Sequence, residues 1–562
     1  MAIPVLPRAS SEQLLIKEKL KALLPNGCQR ILLVEPPNVP EEDWDPNVAA
    51  NNRYPVYDPY GLGVLSSCVE LRGYITDIID LNFMVQDNFK KDPENFQYKF
   101  WEEWLRQTIN EFRPDMVGIT CMFTIYHRSM ARVAKLVKEY SQDITVIAGG
   151  VHTTMASEDQ STQGKLVLED CKEIDFVGLY ECNDSFPDFI DIANDKLGPE
   201  NFTQIASLIS GEYTVVAKRA ELKTETLNIS PNYHDLPIGH YSSIGRIGTF
   251  YWLFKPTTRA GTIRFNYGCR AHCRFCSVEK ITGKGVVLKR DIDVTLDHLE
   301  MIRDKYGISH VMFLDDDIFN GEERTVSFFE GWAKRKLGIT WDASNGVIAS
   351  ALTPEIAHAA AESGCIALSF GIESGNPLVL RNIPKPSGVH HYLRAGEIMK
   401  KHPQIFTKGL LMVGFPPEPE RNFPGESIRM IWDTINVAKQ MDLDWYTIQP
   451  LNLIPGVEIT NHALSRGEIQ KQALIDGTER PVVGSTGKQD HRSSREKEIA
   501  LPFINHLDPA GDLDRVPLRE ELIDIWFVMD YLVNYEKLWN LTIPIKIEML
   551  YKMFGTLFDR TH

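Results

Sequence analysis

The sequence predicts an α/β protein of two units in series: a doubly wound, Rossmann-like parallel sheet, then a partial (β/α)6 barrel, followed by a mainly helical C-terminal segment. Two observations carry this. Strand-length apolar runs alternate with stretches of helical spacing from Arg30 to residue 195, and again from Thr262 to residue 451. Between the two series, residues 196–255 lose the alternation and fill with Pro, Gly and Asn signals. A chain of 562 residues is also too long for one ordinary core. The expected divisions are a leader helix at 1–25, a sheet domain at 26–195, a linker at 196–255, a barrel at 256–460 and a helical domain at 461–562.

In the first series the strands are RILLVE (30–35), TDIIDL (76–81), MVGIT (116–120), TVIAG (145–149) and DFVGL (175–179). GLGVLSSCVEL (61–71) and RSMARVAKLVKEY (128–140) have helical spacing. Strands separated by helices imply parallel pairing, with ligands taken at the carboxyl ends of the strands. The linker contains short strands and the aromatic run TFYWLF (249–254), which reads as interdomain core and not as a ligand cage. The second series has strands TIRFN (262–266), SHVMFL (309–314), ITWDA (339–343), IALSFG (366–371), KGLLMVG (408–414) and DWYTIQPL (444–451). Helices are expected near 293–306, 322–337, 353–363, 388–401 and 425–440. In such barrels the loops after the strands carry the chemistry. GSTGKQDHRSSREKE (484–498) reads as a mobile loop, and LREELIDIWFVMDYLVNYEKLW (518–539) as a helix packed on the barrel.

Composition narrows the function classes. Hydrophobic content of 43% and charged content of 24% describe a globular chain. No apolar run reaches the length of a membrane span. MAIPVLPRASSEQLLIKEKL lacks the apolar core of a signal peptide, so a cytoplasmic location is the expectation. A net charge of −16 repels phosphate backbones, so no nucleic-acid partner is expected. Nine cysteines, six of them isolated, do not form a disulfide framework.

The remaining three cysteines lie in NYGCRAHCRFCSVEK, directly after the first barrel strand. Cys269, Cys273 and Cys276 are spaced CxxxCxxC. Thiolates are the usual ligands of iron–sulfur clusters. Three of them on a four-iron cluster leave one iron open, able to chelate the amino and carboxylate groups of S-adenosylmethionine (SAM). The competing reading is zinc, with His272 or a distant residue as fourth ligand. A structural zinc site needs neither Phe275 before the third cysteine nor the six-unit alternation behind the loop.

This loop resembles the signature of the radical SAM superfamily, in which an aromatic residue precedes the third cysteine, and the resemblance spans residues 255–460. It implies SAM contacts by Asp316 and Asp317 in LDDDIF (314–319), a departure from the Gly-Gly-Glu form of many members. It also implies contacts by Glu373 and Ser369 in SFGIESGN (369–376), and by Gly414 in MVGFPPE (412–418). IQPLNLIPGV (448–457) resembles the end of the sixth strand in this group.

The first unit resembles the cobalamin-binding subgroup through YDPYGLGVLSS (57–67), VGITCMF (117–123), AGGVHTT (148–154) and FVGLYECNDSF (176–186). Thr120, Gly149 and Gly150 would then meet the nucleotide tail. None of the fifteen histidines has an Asp two positions before it, so the Asp-x-His-x-x-Gly cobalt-binding motif is missing. His152 reads as a hydrogen-bonded loop histidine. Cys182 and Cys365 read as packing residues, and no cysteine after Cys365 offers an auxiliary cluster.

Together the resemblances imply a class B radical SAM methyltransferase using a [4Fe–4S] cluster, SAM and cobalamin. Its reaction would be methylation of an unactivated carbon or phosphorus in a small molecule or a protein side chain. A 5′-deoxyadenosyl radical would abstract hydrogen, methylcobalamin would deliver the methyl group, and flavodoxin or ferredoxin would donate electrons. The alternatives are cyclisation or rearrangement without methyl transfer, and a cobalamin or SAM sensor without turnover.

Overall fold

The computed structural model describes residues 9–159, 161–220, 222–476, 512–518 and 521–537, with the single positions 546, 550 and 553. The polar stretch 484–498 lies outside the described residues.

The first sheet has seven strands: β1 (Arg30–Glu35), β2 (Ile75–Asp80), β3 (Met116–Thr120), β4 (Thr145–Gly149), β5 (Phe176–Gly178), β6 (Ile205–Ile209) and β7 (Glu212–Val216). Their order is β2-β1-β3-β4-β5-β6-β7. The first five are parallel. The chain reverses its direction of travel between β1 and β3, and that switch point opens a crevice at the strand carboxyl ends.

Five strands were expected, and the last two come from the stretch read as a linker. They form an antiparallel hairpin that extends the sheet beyond β5. Its turn is Ser210-Gly211, with φ of +52° and +85°. That two-residue, positive-φ turn matches the twist of flanking strands. The leader helix Ser11–Leu23 starts in a Ser10/Gln13 capping box and buries Ile16 and Leu20 against the sheet domain.

The barrel strands are β8 (Ala260–Ile263), β11 (His310–Phe313), β12 (Thr340–Val347), β13 (Cys365–Glu373), β14 (Phe406–Val413) and β15 (Trp445–Pro450). They form one parallel sheet in simple chain order. The helices fall where periodicity places them, at Ile292–Tyr306, Glu322–Arg335, Pro354–Glu362, Val389–Met399 and Ile428–Met441. Their apolar faces meet the outward side chains of the strands. Phe329 stacks on Trp341 with ring centroids 4.6 Å apart. Between β8 and β11, a short antiparallel pair, β9 (Asn266–Gly268) and β10 (Val287–Lys289), carries the cysteine loop.

The two units share a core. Val56 N–H donates to Arg246 O and Arg246 N–H to Tyr54 O. The buried Asp58 carboxylate accepts from Tyr233 Oη at 2.7 Å and from Thr262 Oγ1 on β8 at 2.9 Å. From the aromatic run, Phe250 and Trp252 pack on Phe406 of β14, so the run is core, as its composition suggests.

Helix Leu522–Asp530 lies along β15. Trp526 Nε1 donates to Ile448 O at 2.6 Å, and Ile525, Met529 and Val533 join the barrel core. Among the described residues no helix is long and apolar enough to cross a membrane.

Candidate functional site

The cysteine loop is held from both sides. Its entry requires Gly268: φ is +82°, and a Cβ there would lie 2.4 Å from Val286 O. The buried Asp315 carboxylate, two residues past β11, accepts from Phe265 N at 2.9 Å and Asn266 N at 2.5 Å. Burial lifts that carboxyl to about 7, against the pull of these donors.

Two arginines inside the loop complete the strapping. Arg270 forks onto Asp317 at 2.6 and 2.9 Å and donates to Phe319 O at 2.7 Å. Arg274 forks onto the buried Glu418 at 2.8 and 2.6 Å, and pairs with Glu458 at 2.8 Å. Glu418 follows β14 and Glu458 follows β15, so the loop is tied across the barrel mouth. Neither arginine was singled out from sequence, since an arginine between cysteines has no periodic or spacing signature.

Cys273 is buried, and Cys269 and Cys276 are half-buried. Burial pushes the Cys269 and Cys273 thiols up to about 11 and Cys276 up to about 12. Loading therefore releases protons. Among the described residues, one set of three ligand atoms lies within 4.8 Å of one another, and it is Glu418, Glu420 and His462. The three sulfurs are not such a set. Glu418, for its part, is already occupied by Arg274.

The predicted SAM contacts fall into two groups. Ser369 and Glu373 lie on one face of β13. Ser369 is fully buried, and its Oγ has no hydrogen-bond partner among the described residues. Such an orphan is an opening for a bound polar group. Glu373 holds φ at +61° and pairs with the buried Lys385 at 2.5 Å. Lys385 also faces Cys273. It was missed, because a lone lysine in NIPKPS looks like an exposed loop residue.

Asp316 and Asp317 diverge. Asp317 is committed to Arg270, which makes it a positioning residue for the loop. Asp316 meets Arg264 at 3.5 Å, and Arg264 reaches Glu181 of the first unit at 3.2 Å. Gly414, with φ +88°, gives its room to Leu522 of the C-terminal helix, 2.7 Å from a would-be Cβ.

In the first unit, Thr120 ends β3 and Gly149 ends β4. A Cβ on Gly149 would meet nothing within 4 Å, whereas one on Gly150 (φ +109°) would strike Cys121 O at 2.5 Å. The buried His152 is hydrogen-bonded on both ring nitrogens, to His127 at 3.0 Å and Thr124 Oγ1 at 3.2 Å; His127 passes on to Asp170 at 2.9 Å. Met122 and Phe123 are 47% and 56% exposed beside the switch point. Open space at Gly149 beside an apolar ledge fits a flat, mostly apolar macrocycle with a polar rim.

This is the class the fold and site define: a doubly wound ligand domain joined to a barrel with a three-cysteine mouth. Residues 46–170 match the family model of the B12 binding domain, and residues 263–438 that of the radical SAM superfamily. The chain therefore belongs to the cobalamin-binding radical SAM enzymes, with a [4Fe–4S] cluster, SAM and cobalamin as cofactors.

Cytidylyl-2-hydroxyethylphosphonate methyltransferase of Streptomyces wedmorensis is 23% identical over 442 residues, covering 74% of this chain and 80% of that enzyme. An uncharacterized methyltransferase of Pyrococcus horikoshii is 25% identical over 361 residues, covering 64% of this chain and 72% of the relative. In fold, the chain resembles the radical SAM methyltransferase TsrM from Kitasatospora setae, solved with cobalamin and a [4Fe–4S] cluster. The TM-score is 0.57 at 15% identity, over 77% of each chain.

Proposed function

We propose that this protein is a cobalamin-dependent radical SAM methyltransferase acting on an unactivated carbon or phosphorus centre. The observation that carries the reading is the polar junction between its two ligand-binding units. Arg264 on the barrel side bridges Asp316 and Glu181, so the two carboxyl-end faces meet around one space. When bound, the cluster and SAM supply hydrogen abstraction, and the corrinoid supplies a methyl group.

The chain's own residues hold and orient. Cys269, Cys273 and Cys276 are the cluster ligands. The Glu373–Lys385 pair and Ser369 Oγ receive the polar end of SAM, and Asp316 is a further SAM contact from the end of the second barrel strand. Thr120, Gly149 and Gly150 take the nucleotide tail. Phe250 and Trp252 keep water out of the barrel floor. The electron donor is a flavodoxin or ferredoxin, and the location is the cytoplasm.

The test needs no known substrate at first. Protein loaded with cluster and cobalamin, given reductant and SAM, is expected to form one equivalent of S-adenosylhomocysteine per bound cobalamin. With substrate, cytidylyl-2-hydroxyethylphosphonate being the first to try, S-adenosylhomocysteine and 5′-deoxyadenosine should appear in near-equal amounts, and methyl-labelled SAM should label the product. 5′-Deoxyadenosine without S-adenosylhomocysteine would establish cyclisation or rearrangement instead. Absence of both would establish a sensor.

A further inference from the structure

The switch point of the first sheet carries an acid that no motif accounts for. Glu35 is the last residue of β1, beside Thr120 at the end of β3. Its register partner on β2 is Asp80, also the last residue of its strand. Parallel strands lie about 4.8 Å apart, so the two carboxyls stand side by side on one face. Two charges at that spacing, out of water, repel strongly, and such a pair holds one proton.

Their surroundings decide which carboxyl keeps it. Asp80 is 1% exposed and accepts from Phe83 N at 2.8 Å on one oxygen and from Tyr241 Oη at 2.9 Å on the other. Burial raises its carboxyl to about 7, and these donors pull back toward the charged form. Glu35 accepts no hydrogen bond from any described residue, and it sits half-buried at the carboxyl end of β1. Cys121, Tyr126 and Tyr241 are the titratable groups that face it besides Asp80, and none is a cation. Burial, and then Asp80, hold the Glu35 carboxyl well above the usual carboxylate range.

We infer that Glu35 contacts the corrinoid directly, as a neutral carboxylic acid donating one hydrogen bond to an amide carbonyl on the macrocycle rim. The inference rests on the cobalamin reading above. It gives the pair a division of labour: Asp80, the one held by donors, braces Tyr241 at the domain junction, while Glu35 offers its proton to the ligand.

The experiment is titration of the full-length protein with hydroxocobalamin, followed by equilibrium dialysis, for wild type, Glu35→Gln and Glu35→Met. Glutamine keeps a neutral donor and should hold affinity within about twofold. Methionine keeps the volume without a donor and should weaken binding about tenfold, the value of one hydrogen bond in a sheltered site. Iron content and far-ultraviolet circular dichroism, unchanged in both variants, show an intact fold. Wild-type affinity in Glu35→Met, or equal losses in both variants, overturns the assignment while leaving the cobalamin reading intact. No saturable binding by the wild type overturns that reading and this assignment with it.

Discussion

Lys385 is the residue whose importance the structure raises most. It is the only partner of the Glu373 carboxylate with a recorded hydrogen bond among the described residues, and both groups are buried. Burial opposes its charge, but Glu373 and Cys273 outweigh this and raise its pKa. Removing one member of a buried pair strands the other, at a cost of about 3 kcal/mol or more. Lys385→Met should therefore lower the unfolding free energy by that amount, read as a lower denaturant midpoint, and weaken SAM binding. Equal stability of Lys385→Met and wild type would show the pair to be incidental.

The cysteines make a simpler case. Alanine at Cys269, Cys273 or Cys276 should remove the iron and sulfide that anaerobic reconstitution installs, whereas alanine at Cys365, the buried first residue of β13, should not. Stoichiometric zinc without sulfide would refute the cluster. Of these residues the cysteine triplet, Glu373 and Ser369 were singled out from sequence, because a motif fixes their spacing. Lys385 and Arg274 were not, because each becomes special only through a partner brought from another strand.

At the scale of elements, the cysteine loop depends on ion pairs reaching to three different strand ends. Arg274 and Glu418 are the buried part of that strapping. Burial works against the Glu418 charge, but hydrogen bonds from Arg274, Asn382 and His462 hold its carboxyl down to about 2. Its ordinary value is 4.5. A depressed carboxyl contributes stability that is present above the ordinary value and lost as pH falls toward the depressed one. Wild type should therefore lose stability between about pH 5 and pH 3 more steeply than Glu418→Gln. Parallel pH profiles of the two denaturation midpoints would count against the strap.

Glycines set the other limit on these loops. Gly150→Val would place a side chain into the Cys121 backbone at a φ that valine avoids. Expected is a loss of hydroxocobalamin binding with iron loading retained, and retention of binding would show that the β4 loop is not part of the corrinoid site. The hairpin β6–β7 is instructive in the same way. Short strands in a stretch with Pro, Gly and Asn signals do not reveal in sequence which sheet they join.

Across the whole molecule, the junction between the units is polar and specific. Asp58, Thr262, Arg264 and Glu181 tie segments far apart in sequence. Arg264→Met leaves Glu181 and Asp316 without their shared cation. It should uncouple the two halves of the reaction: S-adenosylhomocysteine would still form from SAM and reduced cobalamin, while its ratio to 5′-deoxyadenosine in turnover drifts from unity. A ratio that stays near one would place the coupling elsewhere.

The sequence by itself determined the two alternating series, the order of their strands and helices, and the three thiols that mark the chemistry. These are local properties, set by period, turn chemistry and spacing, and they survive without knowledge of distant partners. Only the tertiary structure decided that the sheet has seven strands, that Asp317 serves the loop and that Gly414 makes room for Leu522. It also decided that Glu35 stands beside Asp80 at the switch point. Each of these is a contact between residues remote in the chain, and burial, charge pairing and steric room acquire values only when the fold brings both partners together.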